Sequence, residues 1–491
     1  MNDEITRLAR GTLLPAFSGA SAPRWLLAEL ERGLGGVTLF AINGNVPGTE
    51  ALAALTAELR KAGDVPLVAI DEEGGDVTRL GGHLTGSPYP GNAALGAVDD
   101  PALTRRVYRS LGAELAEVGV NLNFAPSVDV NSAADNPVIG TRSFGADAAL
   151  VSRHAAAAVT GTQEAGVAAC AKHFPGHGAT VEDSHLGVPV VHAGLDLLDR
   201  RELPPFRAAI EAGSRAVMTA HLNLPAITGG VPATLSPEAI TGLLRGRLGY
   251  EGVIVTDALD MDGASGATGI PEAGVRALLA GADLLCLGAR EYDDSVRAML
   301  AAIGEAVRTG RLPLERLADA AERTRRLKEW LGGAGPAAVD RPAGMEAARR
   351  AVRVSGEPPG WSTAPLVVEL ESAGNIAVGP TPWGLGPWAP DAVRATGAVE
   401  EAAPVLDRAA GRGLVIVLRD AHRHSGQRAL TNALLAARPD AVVVEMGLPV
   451  WAPEGAVHLA TYGAAQANAQ AAAERLGLAP EGGARAAAGH R

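Results

Sequence analysis

The chain is poor in aromatic residues, in cysteine and in basic charge. Phe, Trp and Tyr make up only 3% of its 491 residues, so a core has to be packed mainly from Ala, Val and Leu. There are two cysteines, Cys170 and Cys286, each inside an apolar, strand-like run. That excludes a disulfide framework and makes both thiols small buried hydrophobes. Lys and Arg number 43 against 55 acidic residues, a net charge of −12. A basic nucleic-acid surface is thereby excluded, and the Arg-rich stretch 323–326 reads as a solvated helix face with acids close by. No apolar run reaches the ~18 residues that a membrane-spanning helix needs. The N-terminal MNDEITRLARG is charged and has no signal-peptide core. The expectation is a cytoplasmic protein with neither a membrane nor a nucleic-acid partner.

Hydrophobic residues make up 47% of the chain, and 61 glycines and 32 prolines are scattered through it without a period. Short apolar runs at 36–40, 66–70, 121–125, 168–171, 216–219, 253–255 and 284–287 end in polar residues and alternate with helix-like stretches such as 101–118 and 150–165. Alternation of this kind predicts a parallel sheet with crossover helices, and seven or eight units predict a closed barrel. The fold class expected is α/β: an N-terminal (β/α)8-like TIM barrel over 1–335, a linker at 336–360 bearing a short helix, a smaller doubly wound α/β sandwich over 361–479, and a frayed tail at 480–491. In the sandwich, 366–370, 414–418 and 441–445 read as strands, and 458–460 as a weaker one. No GxGxxG or GxxxxGK[ST] opens a helix, so nothing supports nucleotide binding.

Chemistry in such a barrel collects where strands end. The run 66–70 ends in Asp71, Glu72 and Glu73, followed by two glycines. An N-cap accounts for one of these acids but not for three in a row. The run 168–171 leads into KHFPGHGATVEDSH, which crowds Lys172, His173, His177, Asp183 and His185 into one loop. Asp183 stands two residues before His185 and can fix its tautomer, leaving the other nitrogen for acid/base work near neutral pH. A surface turn explains that pair equally well, and zinc ligation by His173, His177, His185 and Asp183 is another reading of the loop. Asp257 directly follows Ile254, Val255 and Thr256 and would point into the barrel mouth, unless it caps the next helix. A calcium loop there is disfavoured because Ala258 and Leu259 interrupt the alternation of acids.

Three motifs then occur in order: AIDEEGGDVTRL (69–80), KHFPGHGATVEDSH (172–185) and GVIVTDALDM (252–261). With them the chain resembles the family 3 glycoside hydrolases, and in particular their β-N-acetylglucosaminidase branch, which is known by KHFPGHG followed by Asp-Ser-His. NPVIGTRSFG (136–145) and VMTAHLNLP (217–225) also look like family segments. The resemblance implies Asp257 as the nucleophile, His185 as the general acid/base and Asp183 as its partner. It further implies that Asp71, Arg142, Lys172 and His173 hold the sugar hydroxyls, and that Met218 and His221 line the pocket. The activity implied is retaining hydrolysis of terminal β-linked N-acetylglucosamine from small glycosides, muropeptides or chitin fragments, with no metal and no cofactor. Phosphorolysis of the same bond, β-glucosidase activity, a metal-dependent hydrolase and a non-catalytic sugar-binding protein are the alternatives. A monomer or homodimer is expected. Two positions depart from the family pattern: Asp76 stands where Arg is common, and Ala179 where Asp is usual.

Overall fold

The computed structural model describes residues 2–81, 86–181, 187–266, 268–290, 293–331, 337–372, 374, 376–379 and 381–480. The chain divides into two compact units. One comprises 1–73, 99–139 and 143–340, and the other 74–98, 140–142 and 341–491.

In the first unit the described residues form eight short parallel strands. They are β1 (Leu13–Leu14), β2 (Gly36–Thr38), β3 (Leu67–Ile70), β4 (Leu122–Asn123), β5 (Ala168–Phe174), β6 (Ala216–Thr219), β7 (Val253–Val255) and β8 (Leu285–Cys286). β2 to β7 pair in chain order, and β1 pairs with β8. Two further contacts close the ring. Thr256 N donates to the Leu284 carbonyl at 3.0 Å, and Thr38 N donates to the Pro15 carbonyl at 3.0 Å. Seven of the eight strands coincide with the apolar runs read from sequence. β1 is the addition: two leucines before a proline are too short to show a period.

Strand alternation fills the interior. Leu67 and Ala69, Leu122 and Phe124, Ala168 and Cys170, Ala216 and Met218, Val253 and Val255, and Leu284 and Cys286 belong to one buried cluster. Many of these side chains are small, as the shortage of aromatics requires. Helices wrap the ring, and their starts are chemically marked. Asp100 accepts from Leu103 N ahead of the helix Pro101–Glu117, and Asp147 accepts from Leu150 N ahead of Ala148–Glu164. A side-chain cap of this kind is worth about 1 kcal/mol. At the start of the last strand, the buried carboxylate of Asp283 holds Arg245, Arg316 at 2.6 Å and Ile254 N at 2.9 Å, which locks β7 to β8. Among the described residues no helix is long and apolar enough to cross a membrane.

The second unit carries six strands among its described residues: β9 (Arg353–Ser355), β10 (Leu366–Leu370), β11 (Val393–Ala395), β12 (Leu414–Leu418), β13 (Val442–Glu445) and β14 (Val457–Ala460). Their order is β11-β10-β12-β13-β14-β9, parallel except for the antiparallel edge β9. Alternate residues of the central strands feed two separate cores, one on each face. This is why those strands read as unbroken apolar runs. β9 exposes Arg353 and Ser355, so no such run announces it. The stretch read as a linker holds the helix Arg341–Ala351 as well as β9.

β13 ends in a carboxylate with no exposed surface. Glu445 accepts from the backbone N–H groups of Asp420 (2.8 Å), Ala421 (3.1 Å) and Gly447 (2.6 Å). Burial, and after it the Asp420 carboxylate, push its pKa from the ordinary 4.5 up to about 8, against the pull of those N–H groups. Between these values the folded state keeps a proton that the unfolded chain releases. The contribution is therefore full below about pH 4.5 and is lost as pH rises to about 8. Urea titrations should show this unit losing a few kcal/mol across that window. Glu445→Gln should flatten the slope, and equal slopes in the two proteins would refute the assignment.

Candidate active site

The barrel interior has a simple parity. Ala69, Cys170 and Val255 point inward, and two residues further along the same strands stand Asp71, Lys172 and Asp257. A strand turns its side chains over with period two. The three charged groups therefore rise on the inward side at the C-terminal rim. The Cys170 thiol, raised first by burial, feels the charges of Lys172, Asp71 and Asp257, all three within its range. Cys286, pushed by burial up to about 12, feels Asp257 and Asp260. Both thiols stay protonated and unpaired in the core.

Lys172 is the hub. Its side chain is 2% exposed, and Nζ lies 2.5 Å from Asp71 Oδ1 and 2.9 Å from Glu73 Oε1. A buried ammonium is tolerated because two carboxylates neutralise it. Asp71 remains a quarter exposed, whereas Glu73 is closed off. Asp71 is thus the member of the pair that a ligand in the mouth can reach. Glu72 turns its backbone N–H to Asn123 Oδ1 at 3.0 Å.

The second hub is Asp129, on the segment after β4, and it was not among the residues read from sequence. Its carboxylate is fully buried. Oδ2 accepts from His173 Nδ1 at 2.7 Å and from Ser127 Oγ at 3.0 Å, while Oδ1 accepts from His177 N at 2.6 Å and His173 N at 3.3 Å. Burial pushes the Asp129 carboxyl up, but the histidines outweigh it and the net shift is downward. With Nδ1 donating to Asp129, Nε2 of a neutral His173 is the acceptor nitrogen. The Asp183–His185 couple expected from sequence lies outside the described residues; among those described, Asp129 and His173 are coupled in the same way. The signal for Asp129 was the acid in SVDVN, six residues beyond the end of β4.

The turn after His173 is fixed by the same contacts. His177 donates or accepts through Nδ1 with Thr180 Oγ1 at 2.8 Å, and its carbonyl accepts from Asn136 Nδ2 at 2.8 Å. At Gly178 any Cβ would stand 1.9 Å from the Val130 carbonyl oxygen, so only glycine fits.

Asp257 is half-buried, and its Oδ1 accepts from Ala258 N at 2.8 Å. Met218 is buried in the barrel core. His221 is completely buried, with Nδ1 2.9 Å from Thr234 Oγ1 and Nε2 3.0 Å from the Ala258 carbonyl. Its ring is spent on the protein, which sets it apart from the pocket-lining part expected of it. Arg142 falls in the second unit, buried, with its carbonyl accepting from Asn92 Nδ2 at 2.7 Å. Asp183 and His185 lie outside the described residues.

Residues 22–327 match the glycosyl hydrolase family 3 N-terminal domain. The chain belongs to glycoside hydrolase family 3. It is similar over nearly its whole length to the solved structure of a family 3 β-N-acetylglucosaminidase from Paenibacillus sp. str. FPU-7, with 35% identity, 96% of each chain covered and a TM-score of 0.86. Among curated relatives, β-hexosaminidase A of Pseudoalteromonas piscicida is 38% identical over 323 residues, which is 61% of this chain and 54% of that protein. The chain thus spans about half the length of that relative. β-Hexosaminidase LpqI of Mycobacterium tuberculosis is 38% identical over 294 residues, 57% of this chain and 73% of that protein.

Within family 3, the departure at Asp76 has a local explanation. Asp76 is buried in the second unit, where it accepts from Arg419 Nη2 at 3.1 Å, Ala464 N at 2.9 Å and Thr141 Oγ1 at 2.7 Å. Arg419, at the end of β12, supplies the guanidinium here, and it also stacks on Trp383. Nothing in the structure accounts for Ala179.

Proposed function

We propose that the chain is a retaining β-N-acetylhexosaminidase that releases terminal β-linked N-acetylglucosamine from small glycosides of the muropeptide or chitin-fragment type. The observation that carries this reading is the inward rise of Asp71, Lys172 and Asp257 above Ala69, Cys170 and Val255 at one end of the barrel. The Asp257 carboxylate and the Lys172–Asp71 pair all act on the Cys170 thiol, which suits a nucleophile and a hydroxyl clamp serving one sugar. The β-N-acetylglucosaminidase and β-hexosaminidase names of the similar proteins support the sugar assignment.

In this reading Asp257 attacks C1 of the sugar, and the C1–O bond to the leaving group breaks as the C1–O bond to Asp257 forms. His185, oriented by Asp183, gives its proton to the departing oxygen and then takes one from the incoming water. Asp71, Lys172 and His173 hold ring hydroxyls, with Lys172 donating, Asp71 accepting and His173 accepting through Nε2. Met218 packs beneath the pocket. The chain acts without a metal or organic cofactor.

A panel of aryl glycosides run with and without phosphate tests this function. Turnover of the β-N-acetylglucosaminide well above the β-glucoside, giving free sugar in both buffers, is the expected result. Preference for glucose, or sugar phosphate as product, would overturn it. On the same panel His185→Ala should slow phenyl glycosides with poor leaving groups far more than dinitrophenyl glycosides, since only the former need a proton. Equal losses would remove His185 from the acid role.

A further inference from the structure

The loop bearing Asp257 is anchored by groups from β6 and the segment that follows it. His221, on the segment leaving β6, has no exposed surface. Its Nε2 stands 3.0 Å from the Ala258 carbonyl oxygen. A carbonyl can only accept, so Nε2 carries the proton and donates. On the other side Nδ1 meets the Thr234 hydroxyl at 2.9 Å. That hydroxyl is packed in turn against Thr219 Oγ1 at 2.8 Å and the Ala220 carbonyl at 3.0 Å. Ala258 is therefore held at both ends: its carbonyl is bound by His221, and its own N–H binds Asp257 Oδ1 at 2.8 Å. The next residue is tied as well, with Leu259 N donating to the Cys286 carbonyl at 2.9 Å.

We infer that His221 is a positioning residue for the nucleophile: through Ala258 it fixes Asp257 Oδ1 and so presents Oδ2 to the anomeric carbon. The inference rests on the proposed role of Asp257. The step it serves is glycosylation, in which Oδ2 bonds to C1, the leaving group departs with the C1 bonding pair, and the acid/base supplies its proton. Thr219, Thr234 and His221 form a rigid prop two residues wide of the chemistry, and none of them needs to touch the sugar. Displacing a reacting group by about 1 Å costs on the order of 10²-fold in rate.

The test is mechanism-based labelling with a 5-fluoro-N-acetylglucosaminyl fluoride, in which fluoride leaves C1 as the Asp257 ester forms. Wild type, His221→Ala, His221→Gln and Thr234→Val are compared by the saturating rate of inactivation, by mass spectrometry of the labelled peptide, and by the inhibition constant of free N-acetylglucosamine. His221→Ala should label about 10²-fold more slowly at saturation, with the inhibition constant of the free sugar unchanged. Thr234→Val should lose rate in the same direction but less. Gln can donate to the Ala258 carbonyl, so His221→Gln should recover most of the rate. Labelling of folded His221→Ala at the wild-type rate overturns the inference. So does a loss confined to sugar binding, which would make His221 a sugar contact. Should His221→Ala fail to fold, Thr234→Val labelling at the wild-type rate, or no recovery in His221→Gln, overturns it instead. Wild-type label on a residue other than Asp257 removes the nucleophile assignment itself, a result read before any variant is compared.

Discussion

Asp257→Ala is expected to lower turnover of an aryl β-N-acetylglucosaminide by roughly 10⁴- to 10⁶-fold, the range seen when a covalent nucleophile is deleted. The fold should survive. Asp257 is half-buried two residues beyond a three-residue strand, and the packing of that strand lies below it in Val253 and Val255. Thermal unfolding should therefore stay close to wild type while activity collapses. The cavity left by the carboxylate gives a second, chemical readout. Azide entering it would attack C1 from the face Asp257 used, forming a C1–N bond as the C1–O bond to the leaving group breaks, and the product would be the α-glycosyl azide. A variant that keeps substantial activity, or azide that yields only the β-anomer, would remove Asp257 from the role.

Lys172→Met should damage both stability and catalysis. The ammonium lies between Asp71 and Glu73, and both it and Glu73 are almost wholly excluded from solvent. Breaking a buried ion pair from one side costs roughly 3–5 kcal/mol, because the surviving charge stays buried. The two losses can be separated. In Lys172→Met/Glu73→Gln the buried carboxylate is neutral, so urea denaturation should recover much of the stability. Turnover should stay low, since the donor beside Asp71 is still missing. A double variant as unstable as the single one would show that Glu73 is not what makes the loss expensive. One that regains wild-type kcat/KM would show that Lys172 serves the fold alone.

The barrel was legible from sequence because its strands are short apolar runs broken by polar ends, and the motifs sit where those runs stop. β1 was hidden by its length and by Pro15, and β9 by its exposed Arg353 and Ser355. In the site, the residues on the inward parity of a strand were readable, since period two carries Ala69 to Asp71, Cys170 to Lys172 and Val255 to Asp257. Groups that act across loops were not. Asp129 lies 44 residues from His173 in the chain, and Thr234 lies 13 residues from His221; no spacing rule links either pair. His221 shows the limit most clearly. The family resemblance implied a pocket-lining part for it, and in the structure both ring nitrogens are committed to the backbone and a threonine. Which way a histidine faces at the end of a strand depends on the loop that returns to meet it.

The partition of the chain carries a consequence for how it can be dissected. The polypeptide passes from one unit to the other five times, after residues 73, 98, 139, 142 and 340. Segment 74–98 leaves the barrel immediately behind the Asp71–Glu73 carboxylates, and its Asp76 is bonded to Arg419 and Ala464, hundreds of residues downstream. A stop codon at 341 would therefore not release a self-sufficient barrel. It would strand a buried aspartate without its guanidinium, one residue run away from the carboxylates of the mouth. The two halves are stitched rather than strung, and a clean cut between them does not exist in the linear gene.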